Sequence, residues 1–253
     1  MLKPVPYSDR KPINVPDKPG DEASMRALIC HIGRLMHQGE YIDGTAGNIS
    51  ARLDSERILS TPSGLSKGFL QPEQLIVTNL GGNKIGPPTG ANRDLRPTSE
   101  LGMHLECYRQ RPDVYGVVHA HPPTAVALTI AEVSLRTCVI PEAIVVLGLV
   151  PTAAYGTPSS VENVHAVRAL IPEHDALMLA YHGSVTVGPD VWQAYLKLET
   201  LEHTAKILHR VAQIGPIAPL PPEQVAKLLE TRRQLGYWRA GDEERFCEAC
   251  GTC

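Results

Sequence analysis

The segment Val114-Tyr115-Gly116-Val117-Val118-His119-Ala120-His121-Pro122-Pro123 constrains this chain more than any other. Its first five residues are apolar and β-branched enough to form a buried strand. Pro122 and Pro123 cannot continue a ladder, and they suit the first turn of a helix, so the strand stops where the histidines stand. Side chains two apart on an extended segment project to the same side. His119 and His121 therefore emerge together at the carboxyl end of a strand, where open sheets bind ligands. A third imidazole would complete a three-ligand metal site with an open position, the arrangement of catalytic zinc.

His182 is the candidate third ligand. It follows the apolar run Asp175-Ala-Leu-Met-Leu-Ala-Tyr181 and precedes Gly183 and the strand-like Val185-Thr-Val187. Glu100 lies in Arg96-Pro97-Thr98-Ser99-Glu100, a helix-start pattern with Thr or Ser as the cap and an acid in the first turn. His104, one turn beyond, either faces the site or holds Glu100 in place. Each piece also has an ordinary reading: paired histidines occur on solvated strand edges, and an acid at a helix start pairs with the dipole. His31, His37, His165, His174, His203 and His209 have no paired ligand and read as structural or surface residues.

Along the chain, helical and strand-like periodicities alternate. Residues 1–20 are rich in proline and charge and read as an extended arm. Met25, Leu28, Ile29, Ile32, Leu35 and Met36 recur at helical spacing, with Gly39 as the stop. Short strands are expected around 47–53, 57–61 and 75–79, with a tight turn at Gly81-Gly82-Asn83. A helix is expected from about 98 to 110, another from Pro158-Ser159-Ser160 to about 171, and a long one from Pro189-Asp190 to about 212. Gly215 to Pro222 is a stiff linker before a helix over about 222–235. The pattern predicts an α/β sandwich around a mixed sheet.

Five motifs in order decide the family. Thr45-Ala46-Gly47-Asn48-Ile49-Ser50, Thr61-Pro62-Ser63-Gly64, Pro97-Thr98-Ser99-Glu100 with His104, His119-Ala120-His121-Pro122 and His182-Gly183 together resemble the class II aldolase/adducin family over roughly residues 22–212. The resemblance implies a three-layer α/β/α sandwich around a mixed, mainly antiparallel sheet. It divides the chain into an arm (1–20), a catalytic domain (21–213) and a Pro-rich linker, helix and Cys-containing tail (214–253). It implies Zn2+, or another divalent ion such as Mn2+ or Co2+, on His119, His121 and His182. Glu100 would be the acid/base and a labile extra ligand. Gly47, Asn48, Ser63, Gly64, Thr98 and Ser99 would bind the substrate phosphate. Glycines that let backbone approach and hydroxyls at a helix start suit an anion, although turn chemistry uses the same residues.

By the same resemblance the reaction is cleavage of a ketose 1-phosphate to dihydroxyacetone phosphate and an aldehyde through a zinc-bound enediolate. Sugar-phosphate 4-epimerases of the family typically carry Asp where this chain has Glu100, which favours an aldolase; family decarboxylases are not excluded. An adducin-like scaffold without catalysis would have shed the ligands this chain keeps. The family's aldehyde-side tyrosine has no counterpart in Leu135-Arg-Thr-Cys138-Val-Ile140-Pro141-Glu142. That apolar stretch suits a 5-deoxy- or 5-methylthio-pentulose 1-phosphate. A homotetramer with sites between subunits is expected, to which the arm and the tail after 235 could contribute.

Composition closes off other classes. A net charge of −3 gives no case for nucleic acid, and no apolar run reaches the length of a membrane span. The opening residues lack a signal-peptide pattern, which points to the cytoplasm. Cys30, Cys107 and Cys138 read as buried or half-buried free thiols. Cys247, Cys250 and Cys253 are spaced CxxCxxC, but a structural zinc site wants four ligands, so an exposed, redox-sensitive tail is expected instead.

Overall fold

The computed structural model describes residues 21–86, 89–135 and 138–253, so the proposed arm lies outside the described residues. Helix α1 (Glu22–Gln38) starts at Asp21, whose side chain accepts the Ser24 N–H at 2.7 Å. It buries the expected stripe of Leu28, Ile29, Ile32 and Met36. Strands β1 (Asn48–Arg52), β2 (Arg57–Ser60) and β3 (Ile76–Asn79) follow as hairpins. Then come α2 (Leu101–Gln110), β4 (Gly116–Ala120), α3 (Pro123–Ile130), β5 (Thr152–Ala153), α4 (Val161–Arg168), β6 (Ala176–Leu179) and β7 (Gly183–Gly188). The chain closes with α5 (Val191–Ile214), α6 (Pro222–Gln234) and α7 (Asp242–Cys250).

The strand order is β3-β2-β1-β4-β7-β6-β5, antiparallel throughout except for the parallel β5–β6 pair. Helices cover both faces, which is why the central strands are continuous apolar runs. In β4, Val117 packs with Leu105 and Val167 of the α2–α4 layer, while Val118 and Ala120 pack with α1 and α5 on the other side. The expected mixed, mainly antiparallel sandwich is the observed one.

Two boundaries differ from the sequence pattern. The helix expected at 98 begins at Leu101, because residues 97 and 98 pair with the β2 exit instead: Pro62 bridges Pro97, and Thr98 N–H donates to Thr61 O at 3.2 Å. Glu100 is thus the residue before the helix rather than part of its first turn. The helix expected over 158–171 runs only from Val161 to Arg168, with Ser160 accepting the Glu162 and Asn163 N–H groups.

The tail is the larger correction. Residues 242–250 form α7, and Phe246 is completely buried with Cys138, Ile144, Leu149, Val225 and Leu229. Cys138 is disulfide-bonded to Cys250 and Cys247 to Cys253, so Cys138 is not a free thiol and the last cysteines are not an exposed trio. Cys30 and Cys107 are free and buried, as expected. Arg232, itself buried, donates to Asp242 Oδ2 at 2.9 Å and to Val145 O at 2.8 Å. Val145 belongs to a π-helical turn, Ala143–Leu147, for which the sequence pattern carries no signal. The spacing of Phe246 and Cys250, one helical turn apart, carries the apolar face that docks α7. Among the described residues no helix is long and apolar enough to cross a membrane.

Because Phe246 fills this satellite core, Phe246→Ala should lower unfolding free energy by about 3–5 kcal/mol. Equilibrium denaturation measures it, and a loss below about 1 kcal/mol would contradict the packing.

Candidate metal centre

Strand register builds the site. β4 lies between β1 and β7, with His119 opposite Asn48 on one side and Val185 on the other. The β4–β7 ladder ends at Ala120↔Ser184, so His121 and His182, each just beyond a strand end, come together. Gly183 allows this approach: a Cβ there would lie 2.4 Å from Ala120 O and 2.9 Å from His121 Cδ2. After His121 the chain turns into α3, whose first free N–H groups, Thr124 and Ala125, donate to the buried Glu202 of α5 at 3.1 and 2.9 Å. That carboxylate anchors the turn carrying His121.

The three imidazoles stand with ring centroids 4.8–4.9 Å apart, and their ligand atoms all lie within 4.8 Å of one another. His119 Nδ1 lies 2.9 Å from Ser184 O and donates to it, which leaves Nε2 as the lone-pair atom facing the cluster. His119 Nε2 is 3.0 Å from His121 Nε2 and 3.1 Å from Glu100 Oε2. Zn–N bonds of about 2.0–2.1 Å in a tetrahedron place ligand nitrogens roughly 3.4 Å apart. Glu100 Oε1, 3.6 Å from His182 Nε2, and His182 Nδ1 are buried without hydrogen-bond partners. Converging lone pairs and orphaned donor-set atoms fit a divalent cation.

Burial pushes His121 down to about 3, reinforced by the neighbouring His119 and His182, and burial also lowers His182. These rings are therefore neutral at pH 7 and available as ligands. Burial opposes ionisation of Glu100, but the adjacent His119 and the hydrogen bond from Asn48 outweigh it and hold the carboxyl below the usual range.

Glu100, His121 and His182 line a cavity of about 450 Å3 together with Gly47, Asn48, Ser63, Gly64, Thr98 and Ser99. All the singled-out residues are thus gathered in one place, with His119 buried directly behind. Gly47 has φ +69°, and a Cβ there would meet Ile42 at 2.4 Å, so glycine is needed on both counts. Gly64 has φ +76° in open space, where only its backbone conformation asks for glycine.

The sequence motifs missed Lys67, which also lines the cavity. It is 2% exposed, and its ammonium donates to Thr45 O and Leu65 O. Among the described residues no carboxylate lies within ion-pair distance of it. Burial pushes it down to about 8, so it remains mostly cationic at pH 7. Its only sequence signal was position, three residues beyond Gly64. His104 does not reach the cavity; it is buried behind Asn48, and burial takes it down to about 3.

The sequence profile of the class II aldolase and adducin N-terminal domain matches residues 27–209. An L-fuculose phosphate aldolase of Methanococcus maripaludis is 36% identical over 176 residues, covering 70% of this chain and 91% of that protein. A 3-oxo-tetronate 4-phosphate decarboxylase of Haemophilus influenzae is 30% identical over 190 residues, covering 74% of this chain and 87% of that protein. The crystal structure of L-fuculose-1-phosphate aldolase from Thermus thermophilus superposes with a TM-score of 0.65 at 32% identity, covering 78% of this chain and 99% of that one.

Two outcomes follow from the geometry. Gly183→Ala should weaken metal binding by at least about tenfold in a direct titration while the protein stays folded; unchanged affinity would show that the Ala120–Gly183 approach does not position the ligands. The metal-free protein should lose stability as pH falls from about 6.5 toward 4. The folded-state pKa values of His104 and His121 lie near 3, below the unfolded value, so the stability they contribute is present above 6.5 and lost through this window. Each histidine contributes about 1.4 kcal/mol per pH unit there. A flat pH–stability curve over that range would rule the buried neutral rings out.

Proposed function

The chain belongs to the class II aldolase and adducin family, and from that premise we propose that it is a cytoplasmic, zinc-dependent lyase. Its substrate is a ketose 1-phosphate, which it cleaves to dihydroxyacetone phosphate and an aldehyde. One observation carries this reading. A single cavity is lined by His121, His182 and Glu100, with His119 directly behind them, and by small donors and a buried lysine that makes no ion pair among the described residues.

Toward the anionic group, Ser63, Thr98, Ser99, the second amide N–H of Asn48 (the first is given to Glu100) and the backbone at Gly47 and Gly64 supply short donors. Thr98 and Ser99 lie just before Glu100 at the start of α2, whose dipole favours negative charge. Lys67 adds the cation. Its bonds to Thr45 O and Leu65 O also tie together the two loops that present Gly47 and Gly64. Binding energy from this end orients the ketone over the reacting end.

At the reacting end His119, His121 and His182 would hold the ion, with Mn2+ or Co2+ as substitutes for Zn2+. A divalent ion so held supplies Lewis-acid stabilisation of charge developing on the substrate oxygens. Glu100, ionised at rest, removes a proton from C3 of dihydroxyacetone phosphate in the condensation direction. In cleavage the C3–C4 bond breaks as the C4 hydroxyl passes its proton to the Glu100 carboxylate and the aldehyde forms, and the carboxyl so protonated returns that proton to C3. The aldehyde in this reading is a deoxy or thioether-bearing one, such as that from a 5-deoxy- or 5-methylthio-pentulose 1-phosphate, on the ground of the missing aldehyde-side tyrosine alone: Cys138, Val139 and Ile140 pack in the core and do not line this cavity.

Resemblance to the decarboxylase supports a second reading, loss of CO2 from a phosphorylated 3-keto acid on the same residues. A homotetramer is inferred from the family; the exposed Tyr155–Tyr181 ring pair, beside His182, is a surface suited to a neighbouring copy. Light scattering that finds only active monomers would overturn it.

Across a panel of ketose 1-phosphates and phosphorylated keto acids, coupled detection should find dihydroxyacetone phosphate, abolished by chelation and restored by Zn2+. Release of CO2 alone would transfer the assignment to the second reading. Glu100→Gln should retain metal and lose about 10²–10⁴-fold in kcat. Ser63→Ala, Ser99→Ala and Lys67→Met should each weaken use of the phosphorylated ketose about ten- to a hundredfold, mainly in KM. If the unphosphorylated ketose is turned over equally well, the phosphate assignment fails.

A further inference from the structure

Behind Glu100 a line of hydrogen bonds runs away from the cavity into the interior. Asn48 Nδ2 donates to Glu100 Oε2 at 2.9 Å. Asn48 Oδ1 lies 2.5 Å from His104 Nε2, His104 Nδ1 lies 2.7 Å from Ser50 Oγ, and Ser50 Oγ lies 2.8 Å from the Tyr108 hydroxyl. All five residues are buried, and Ser50 and His104 have no exposure at all. The alignment comes from two periodicities: Asn48 and Ser50 are i and i+2 on one face of β1, while Glu100, His104 and Tyr108 are successive turns along the start of α2.

The chain has only one polarity compatible with an ionised Glu100. A carboxylate oxygen only accepts, so Asn48 must present its NH2 to Glu100 and its carbonyl to His104. His104 Nε2 must then carry the proton. A neutral imidazole has one donor and one acceptor, so Nδ1 accepts from the Ser50 hydroxyl, and Ser50 in turn accepts from Tyr108. Every donor points toward Glu100. Reversing any link requires the Asn48 amide to flip, which would set its carbonyl against the carboxylate. The line also distinguishes the two oxygens of Glu100: Oε2 is anchored, while Oε1 has no hydrogen-bond partner.

We propose that His104 is a positioning residue that sets the direction of this buried line, locking Asn48 to donate to Glu100 Oε2 and leaving Oε1 as the atom that exchanges protons with substrate. This rests on Glu100 being the acid/base of the reaction proposed above. His104 touches neither substrate nor metal; it acts through Asn48. In its absence the Asn48 carbonyl would be buried without its donor, and the amide would lose the restraint that keeps it from turning.

Two variants and one spectrum test it. Gln can accept from Ser50 with its carbonyl and donate to Asn48 with its amide, whereas Leu fills the space and does neither. His104→Leu should retain bound metal and lose about ten- to a hundredfold in kcat per folded, metal-loaded site, with KM changed less than about threefold. His104→Gln should recover most of that loss. A purely structural role predicts reduced stability in both and unchanged kcat in the folded fraction, and that result would overturn the proposal. Independently of any substrate, a multiple-bond 15N–1H correlation spectrum of the metal-free protein, with His104 assigned by its disappearance in His104→Gln, should show the Nε2–H tautomer. The Nδ1–H tautomer would refute the polarity even if the aldol reaction is confirmed. Should the wild type cleave no ketose phosphate, the proposed reaction fails while the tautomer still decides the direction of the line.

Discussion

The register of β1, β4 and β7 is the constraint on which the site depends. His119 faces Asn48 across one ladder and Val185 across the other, and no spare residue exists to correct a slip. A shift by one residue would turn His119 toward the α1–α5 side and bring Val118 into its place. Apolar burial holds the register, since Val117 and Val187 pack into one layer while Ile49 and Val118 pack into the other. Two glycines let neighbours close in: Gly116 admits the start of α5, where a Cβ would come 2.3 Å from Val191 Cα, and Gly183 admits the end of β4. The same residues that stabilise the sandwich therefore set the spacing of the imidazoles.

Polar groups are placed within this apolar frame wherever a chain end or a charge needs a partner. Glu202 caps the otherwise open start of α3, and Asn48 ties Glu100 to the interior. A buried polar group costs stability unless it is hydrogen-bonded, so the line from Tyr108 to Glu100 is tolerable because every member has a partner. Five buried side-chain atoms among the described residues lack a partner, and two of them, Glu100 Oε1 and His182 Nδ1, belong to the candidate metal centre; the others are on Ser60, Thr78 and Ser184. An unpaired carboxylate oxygen facing an imidazole across 3.6 Å fits an external ligand between them.

The C-terminal segment is held by charge as well as by packing. Asp175, 1% exposed, receives Arg111 at 3.0 Å, Lys197 at 2.8 Å and Arg239 at 2.8 Å. Burial opposes its ionisation, but Lys197 and Arg239 outweigh that and hold it far below the ordinary carboxylate range. Removing one member of such a cluster leaves a buried charge uncompensated, which is far more costly than the pair is stabilising. Arg239 comes from the segment between α6 and α7, so the tail completes the coordination of a charge that belongs to the sheet. Together with Phe246 and the Cys138–Cys250 bond, this joins the tail to the segment around Cys138 rather than to solvent.

The sequence by itself determined the strands that carry the histidines, because a β-branched run ended by Pro122-Pro123 and a short apolar run ended by Gly183 leave little choice of conformation. Ser160 and Asp190 likewise marked true helix starts, since a cap is a local bond between a side chain and N–H groups two or three residues on. The ordered motifs from Gly47 to His182 identified the family and most of the cavity wall. Only the tertiary structure decided the rest. Glu100 sits before α2 because Pro97 and Thr98 pair with the loop at Thr61 and Pro62, far upstream in the chain. Lys67 reaches the cavity because α1 and two loops enclose it, and the tail folds because Phe246 meets a pocket built partly from residues about 100 positions earlier. His104 gained its place through Asn48, 56 residues distant. Local signals record propensity and periodicity; these contacts depend on which distant surfaces the sheet register brings together.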